Sequence, residues 1–236
     1  MRGVSKNVEP AAATTRRRMY AQAEEPAFHG CGRRSGRPLD PRPEMSESTR
    51  DRLIRAAHDL FYQRGFHAVG LDAILAAVGV TKTTFYNHFE SKDDLVVEVL
   101  RWHDCWWKDT FRLALRKAGG DTPRGQLEAV FPALESVLSL DDFNGCFFVN
   151  VAVQFPLPHD PAHRAAAEHK RAMADIIREI AGYAGAADPA ALAEELSLLM
   201  EGAYVTMQIT RDPRTTQIAQ RIARPLIGRH LGDAKP

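Results

Sequence analysis

Residues 80–95, VTKTTFYNHFESKDDL, decide the fold class of this chain. The stretch is too polar for a core segment, and it carries too many aromatic side chains for a solvated loop. Thr81 is a favourable N-cap residue, so a short helix is predicted to begin just after it and to run through Phe89. Ser91 and Asp94 form a capping box, which predicts that a longer helix starts there and reaches about residue 118.

The preceding residues complete a small three-helix unit. Ser48 and Asp51 form another capping box, and Gly65 is expected to end the helix that they open. The segment LDAILAAV, residues 71–78, predicts a second, short helix that ends at Gly79. The core of the unit is expected to contain Leu53, Phe61, Leu71, Ile74, Val78, Val80, Phe85 and Phe89. Two short helices joined by a Gly-Val turn behind a third helix are the layout of a DNA-binding helix-turn-helix.

The polar residues of the last short helix form the candidate DNA-binding surface. The N-terminal end of this helix enters the major groove in the motif, where hydroxyl, amide and cationic groups contact base edges or phosphates. The residues outside the predicted core are Lys82, Thr83, Thr84, Tyr86, Asn87 and His88. Because the formal net charge is only +1, affinity for DNA is expected to come from a few aimed contacts.

Residues 49–100 resemble the N-terminal domain of the tetracycline-repressor (TetR) family of bacterial regulators. The family pattern joins A-x-x-L-F, R-G-[FY], a G-V turn, [ST]-x-x-[TAS]-[LIF]-Y-x-[HY]-F and [SN]-K. The matching positions are Ala57, Leu60, Phe61, Gly65, Phe66, Ile74, Gly79, Val80, Thr81, Thr84, Phe85, Tyr86, His88, Phe89, Ser91 and Lys92. Double-stranded DNA is therefore the implied partner.

The resemblance divides the expected DNA contacts into two groups. It implies contacts with base edges or nearby DNA backbone for Lys82, Thr83, Thr84 and Asn87. It implies contacts with phosphates for Tyr86, His88 and Lys92. Two positions depart from the family pattern. Gly70 stands where a Ser or Thr usually caps the second helix, so no phosphate contact is expected there. Thr83 replaces a common Gly or Pro, and its side chain is expected to alter the choice of DNA sequence.

Residues 1–46 show no helical or strand period and are rich in Gly, Pro and Arg, which predicts a disordered N-terminal extension. Residues 1–44 contain nine Lys/Arg and five Asp/Glu, a net charge of +4, whereas the remaining chain has a net charge of −3. Three interpretations stay open: a basic arm that adds phosphate contacts, a dispensable tail, or a misplaced start with Met45 as the true first residue.

The domain division that follows is residues 47–92 for DNA binding and residues 93–230 for a larger helical domain. Asp-Pro pairs at 160, 188 and 212 each precede an amphipathic run, as expected for an N-cap followed by Pro in the first helical turn. Asp121, Thr122 and Pro123 form a looser version, and a further helix is predicted across residues 145–155. No alternating run of β-branched residues is found, so the chain is predicted to be all-α with about nine helices.

The resemblance implies that the larger domain binds a small molecule and forms a dimer. The segment NGCFFVNVAVQFP, residues 144–156, is similar to a subgroup with a G-C-x-[FL]-x-N pattern. Aromatic and sulfur-containing side chains with a few polar groups line small-molecule sites, although most such residues pack in cores. The candidate effector contacts are Trp102, Cys105, Trp106, Phe111, Cys146, Phe147, Asn150, Gln154, Phe155, Met173 and Met207. Asn150 and Gln154 are favoured because a buried amide needs a partner, which a ligand could supply.

The last two predicted helices are the candidates for the dimer interface, where pairing with symmetry mates would form a four-helix bundle. The alternative is packing within one chain only. The candidate interface residues are Leu192, Leu196, Leu199, Ala203, Ile218, Ile222 and Leu226. Small residues at 202 and 203 would allow close approach of the helices.

Several other classes are not supported. The three cysteines are widely spaced without a C-x-x-C, so neither a disulfide framework nor a zinc ribbon is expected. His159, His163 and His169 with Glu168 raise a metal question, but His159 precedes the predicted cap, and solvated histidines are favoured. No cofactor is predicted. With no secretory signal and no apolar run long enough to span a bilayer, a cytoplasmic protein without a membrane partner is expected.

The expected function is a ligand-responsive transcriptional regulator, a homodimeric repressor released from a palindromic operator by a small apolar or amphipathic effector. Two other classes stay open. One is an all-α enzyme that uses His103, Cys105 or Cys146, although no second and third member of a triad is visible. The other is an architectural DNA binder without a ligand, which the large apolar C-terminal half disfavours.

Overall fold

The computed structural model describes residues 48–139 and 143–232, so the predicted disordered extension over residues 1–46 lies outside the described residues. All regular elements of the described residues are helices, which confirms the all-α prediction. The helices are α1 Thr49–Arg64, α2 Leu71–Val78, α3 Lys82–Tyr86, α4 Lys92–Gly119, α5 Pro123–Glu128, α6 Val130–Leu138, α7 Phe147–Gln154, α8 Pro161–Tyr183, α9 Pro189–Thr210 and α10 Thr215–His230. Only Ala129 separates α5 from α6, so the expected number of about nine helices holds when these two are counted together.

The predicted helix starts of the N-terminal unit are confirmed by their capping hydrogen bonds. The Ser48 hydroxyl accepts from the backbone N–H of residue 51 at 3.1 Å, and the Ser91 hydroxyl accepts from the N–H of residue 94 at 3.0 Å. Thr81 caps α3 in the same way. The helix α3 is shorter than predicted, because the N–H groups of His88 and Phe89 both bond to the carbonyl of residue 85 and close a tight turn.

The predicted core of this unit is present. Leu53, Phe61, Ile74, Phe85 and Phe89 are all at most 2% exposed, and they pack the three helices against one another. Val78 is also buried, whereas residues 71 and 80 are only partly buried at the edge of the same cluster. The buried cluster continues from these helices into the C-terminal helices up to Ile227.

The C-terminal helices begin where two of the three Asp-Pro pairs predict. The carboxylates of Asp160 and Asp188 accept hydrogen bonds from the first-turn N–H groups of α8 and α9. The third prediction is wrong by two residues, because the side chain and backbone N–H of Arg214 bind the Asp212 carboxylate before α10 begins. At α5 the cap is Thr122.

Helix α4 connects the three N-terminal helices to the C-terminal helices. It packs against α1 on one side and against α5 and α8 on the other, while α9 lies between α8 and α10. Helix α4 therefore contacts both α1 and helices of the C-terminal part. Within the described ranges, no helix combines the length and the apolar character needed to cross a bilayer.

Candidate DNA-binding surface and sensor core

The polar residues of α3 lie on its outer side, as the sequence predicts. Phe85 and Phe89 are buried, so their rings attach the helix to the three-helix core. The residues between and before them stay accessible, and Tyr86 keeps 58% of its surface exposed. The exposed residues are Lys82, Thr83, Tyr86, Asn87 and His88, and Thr84 is half-buried. This arrangement presents hydroxyl, amide, imidazole and cationic groups on one exposed surface, the set used to contact phosphates and base edges.

An ion pair joins α3 to α2. The Lys82 ammonium lies 3.0 Å from the carboxylate of Asp72, and both side chains are mostly exposed. An exposed pair of this kind contributes little stability. Lys82 can therefore exchange the carboxylate for a DNA phosphate at small cost.

The structure places Lys92 differently from the other predicted contacts. Its ammonium donates to the carbonyl of Phe66 at 2.7 Å and lies 5.8 Å from the centroid of the Phe61 ring. The residue is half-buried at the start of α4, and its charge supports the turn after α1. The side chain is thus engaged at the turn after α1 within the protein.

Two arginines that the sequence analysis did not select support this surface from behind. Arg50 forms an ion pair with Glu98 of α4 and lies 5.2 Å from the centroid of the Phe89 ring. Arg52 donates to the carbonyl of Val78 at 2.6 Å. Burial alone would raise the pKa of Glu98, but hydrogen bonds from Arg50 and Arg101 outweigh it and lower that pKa.

The amides of Asn150 and Gln154 have partners within the protein, so the reason for expecting effector contacts there is wrong. The side-chain oxygen of Gln154 accepts from the N–H of Phe66 at 2.8 Å, and the backbone carbonyl of Gln154 bonds to the ring of His67 at 2.8 Å. Asn150 donates to the carbonyl of Asn144 at 2.8 Å. These amides connect α7 to the turn after α1 and to the segment before α7.

A second connection between α1 and the C-terminal helices lies in residues 143–146, which we call the connecting turn. The Tyr62 hydroxyl of α1 donates to the carbonyl of Gly145 at 3.2 Å and accepts from the N–H of Asn144 at 2.7 Å. The amide of Asn144 in turn donates to the carbonyl of Tyr62 at 2.7 Å. At the C-cap of α9, Arg211 donates to the carbonyl of Phe143. The connecting turn thus joins α1 to α9.

Gly145→Ala is expected to destabilise the protein by about 1–2 kcal/mol, mainly through the strain of a left-handed backbone at a residue that carries a Cβ atom. Gly145 has a φ of 81°, and a Cβ atom there would lie 2.3 Å from the amide of Gln208. Thermal unfolding followed by circular dichroism measures the effect. The matched control is Gly182→Ala, inside α8 with no atom within 4 Å of the new Cβ, which is expected to leave stability unchanged or raise it. Equal melting temperatures for the two variants would contradict the prediction.

The other candidate effector contacts fall into two groups. Phe111, Cys146, Phe147, Met173 and Met207 are buried, with exposures between 2% and 8%. The half-buried residues are Trp102, Cys105, Trp106 and Phe155. Phe147 is surrounded by aromatic rings of α1 and α4, with centroid distances of 4.9 Å to His58 and 4.8 Å to His103. All of these candidates except Cys105 thus lie in or against one core that continues into α1.

Two of the three histidines considered for metal binding bond to different groups of the protein. The His163 ring bonds to the carbonyl of Phe155, and the buried His169 ring bonds to the Asp104 carboxylate at 2.8 Å. Burial lowers the pKa of His169 even though Asp104 opposes the change. The Phe148 ring stacks on the His169 ring with their centroids 3.7 Å apart. In the ranges that the structure describes, no three His, Cys, Asp or Glu side chains form a group that could hold a metal ion.

An open surface cleft lies away from these candidates. It has a volume of about 770 Å³ and lies between the end of α8 and the start of α9. Its lining residues are Asp175, Arg178, Glu179, Gly182, Tyr183, Asp188, Pro189 and Ala190. None of them is among the predicted effector contacts.

Three of the seven predicted dimer residues are wrong, because they pack inside the protomer. Leu192, Leu196 and Ala203 are at most 4% exposed and belong to the buried core. Leu199 and Leu226 are half-buried, while Ile218 and Ile222 are exposed as a dimer contact requires. The helical period of α9 is as predicted, but the face predicted to lie outside turns inward.

The outer face of α9 carries a different apolar stripe. Leu198 and Ile209 are each 76% exposed, and Val205 is 40% exposed. Together with Gly202 they recur at intervals of four, three and four residues, which places them on one side of the helix. On α10, Ile218 and Ile222 are 41% and 47% exposed. We call these six residues the α9–α10 stripe.

A helix-turn-helix with an exposed polar recognition helix, carried on a larger helical body, defines a DNA-binding transcriptional regulator. Comparison with known proteins gives the same class. Residues 53–99 match the model for bacterial regulatory proteins of the tetR family, and residues 123–223 match the tetracyclin repressor-like C-terminal domain. The structure of SCO4454, a TetR-family transcriptional regulator from Streptomyces coelicolor, is 30% identical with a TM-score of 0.70, over 77% of this chain and 95% of that chain. The chain therefore belongs to the TetR family.

Two relatives of known name match this chain over very different shares of their own length. The transcriptional activator FasR of Mycolicibacterium smegmatis is 38% identical over 44% of this chain, and the match spans 46% of FasR. The transcriptional regulator YjdC of Escherichia coli is 23% identical over 75% of this chain and 93% of its own length. One of these names is that of an activator, so family membership leaves the direction of regulation open.

Proposed function

We propose that this protein is a cytoplasmic, homodimeric repressor that binds a palindromic operator and is released by a small apolar or amphipathic effector. In this proposal residues 47–92 bind DNA, and residues 93–230 bind the effector and form the dimer. The observation that carries the proposal is the α3 surface. Its polar residues stand outward on a helix whose Phe85 and Phe89 are buried, so a rigid support presents them.

The α9–α10 stripe supports a dimer. Six apolar or small residues on two adjacent helix faces are costly to leave in water, and self-association would cover them. Pairing α9 and α10 with their symmetry mates gives a four-helix bundle. Two copies of α3 would then contact two operator half-sites related by the same twofold axis.

Release by an effector requires that the ligand prefer the form that does not fit DNA. The candidate contacts are Trp102, Cys105, Trp106, Phe111, Cys146, Phe147, Phe155, Met173 and Met207. All of them except Cys105 lie in or against the core that reaches α1, so a ligand there can act on the DNA-binding helices through α4, α7 and the connecting turn.

Selection of bound sequences from random double-stranded DNA tests this function. The full-length protein is expected to enrich an inverted repeat whose half-site centres lie about one helical turn, or a multiple of it, apart. The matched control is the repeat with one half-site scrambled, which should bind much more weakly. Enrichment of no sequence would contradict the regulator, and enrichment of a single half-site would contradict the dimer.

A further inference from the structure

The ion pair between α2 and α3 lies on the candidate DNA-binding surface itself. The Lys82 ammonium is 3.0 Å from a carboxylate oxygen of Asp72, and the two side chains keep 63% and 80% of their surface exposed. Neither side chain has a further hydrogen bond or ion pair with the part of the chain that the structure describes. The position of this ammonium therefore depends on one neighbouring carboxylate.

Positive charge is scarce in this part of the chain. In residues 65–91, Lys82 is the only lysine or arginine, and the acidic residues of the same stretch are Asp72 and Glu90. Lys92, at the start of α4, donates to a backbone carbonyl of the protein. Because sequence-independent affinity for DNA comes from lysines and arginines at phosphates, Lys82 decides much of the attraction that α2 and α3 exert on an arbitrary duplex.

Lys82 is also placed to read a base. It is the first residue of α3, directly after the N-cap residue Thr81, and the first residues of the recognition helix reach base edges in a helix-turn-helix. A lysine ammonium has three donors, and guanine presents two acceptors, O6 and N7, in the major groove. An ammonium that gives one donor to Asp72 keeps two for a guanine, so the ion pair is compatible with a base contact.

A phosphate contact has the opposite effect on the pair. A phosphate that takes the ammonium leaves the Asp72 carboxylate without its cation and beside a group of like charge. An exposed pair contributes little stability, so the exchange can occur, but the loss of the pair reduces the gain from the phosphate. This cost arises on any sequence. The guanine contact retains the pair, and it is available only where the sequence supplies the base.

We propose that Asp72 is a specificity-determining residue for DNA binding that acts through Lys82. Its carboxylate competes with the phosphates of unrelated DNA for the ammonium, and at the operator it holds the ammonium toward a guanine in each half-site. Asp72 is a positioning residue, because it contacts Lys82 and not the DNA. The competition with phosphates applies to any duplex, whereas the guanine contact rests on the proposed function, since it needs an operator.

A purely structural role of Asp72 would have a different consequence. The residue lies in the first turn of α2, where a negative charge interacts favourably with the helix dipole. If this were its whole contribution, loss of the carboxylate would lower stability and leave the choice between DNA sequences unchanged. Asp93 is the matched control, because it is an exposed carboxylate in the first turn of α4 without a cation partner among the described residues.

Fluorescence anisotropy of the full-length protein tests the proposal with two duplexes of equal length, the selected operator and one with both half-sites scrambled. Asp72→Asn is expected to bind the scrambled duplex about tenfold more tightly, roughly threefold for each protomer, without a comparable gain at the operator. The slope of log affinity against log salt on the scrambled duplex should steepen by about 0.9 for each lysine that gains a phosphate. Asp93→Asn should change both affinities by the same factor, and Asp72→Glu should retain the preference for the operator.

Lys82→Met shows whether the effect passes through the lysine. In a Lys82→Met background, Asp72→Asn should change the affinity for both duplexes equally, because the cation for which DNA competes is gone. Selection from random DNA with Asp72→Asn and with Lys82→Met should relax the preference for guanine at the same base pair of each half-site. Circular dichroism establishes that each variant is folded.

Two results would overturn the assignment: an equal change in affinity for both duplexes in Asp72→Asn, or a change in their ratio that persists in the Lys82→Met background. Enrichment of no sequence by the unaltered protein would instead contradict the proposed function. In that case the affinity and the salt slope of Asp72→Asn on an arbitrary duplex would still decide whether the carboxylate competes with phosphates, and unchanged values would refute it.

Discussion

A variant carrying Leu198→Arg and Ile209→Arg is expected to be a folded monomer with operator affinity reduced by about a hundredfold or more. Both residues are 76% exposed on the α9–α10 stripe, so the substitutions remove no core packing. Across a twofold axis each arginine would approach its own copies, and like charges in an apolar interface prevent association. A monomer contacts one half-site at a time and loses the gain from simultaneous binding.

Analytical ultracentrifugation and fluorescence anisotropy measure the two consequences of this change. The matched control carries Leu157→Arg and Tyr183→Arg, which also replace exposed apolar residues, at 56% and 74% exposure, outside the stripe. That control should remain a dimer with full affinity. If the stripe variant stayed dimeric, another surface would have to form the interface.

Tyr86→Ala is expected to weaken operator binding by a factor of roughly 10² to 10⁴ without unfolding the protein. A hydrogen bond to a charged group contributes about 1.5–3 kcal/mol, and each dimer contains two copies of Tyr86. The ring is 58% exposed and contacts Phe85 edge-on at 5.3 Å, so its loss leaves the buried core of α3 in place.

Tyr86→Phe separates the hydroxyl from the ring, and most of the loss should appear in this variant if a phosphate hydrogen bond dominates. Tyr183→Ala, at an exposed tyrosine on α8, is the matched control and should bind normally. Unchanged affinity of Tyr86→Ala would remove this residue from the DNA contacts. Circular dichroism of each variant distinguishes lost contacts from lost structure.

Much of the N-terminal unit could be predicted because its signals are local. Ser48, Thr81 and Ser91 cap helices through bonds to N–H groups three residues later, so their roles depend on the adjacent sequence alone. Where a second local partner competed, the prediction failed. Asp212 binds Arg214 two residues along the chain and does not start α10.

The sequence predicted the hydrogen-bond partners of individual side chains less well, because such a partner can come from a segment far away in the sequence. Gln154 has the composition of a ligand contact, yet its amide bonds to the turn after α1, 88 residues away. Lys92 matches a phosphate-binding position, yet its ammonium donates to Phe66. No periodicity predicts such pairs, since each requires that two helices first pack together.

The sequence by itself determined the helical class, most of the helix starts, most buried residues of the first three helices and the family of this protein. These follow from hydrophobic period, capping residues and a spaced motif, all of which act over a few residues. Only the tertiary structure decided which face of α9 lies outside and that Tyr62, the connecting turn and α9 are joined. It also decided that the Lys82 ammonium pairs with Asp72. Helical period separates an apolar face from a polar one, but when both faces are apolar only packing against α8 and α10 selects the inner one.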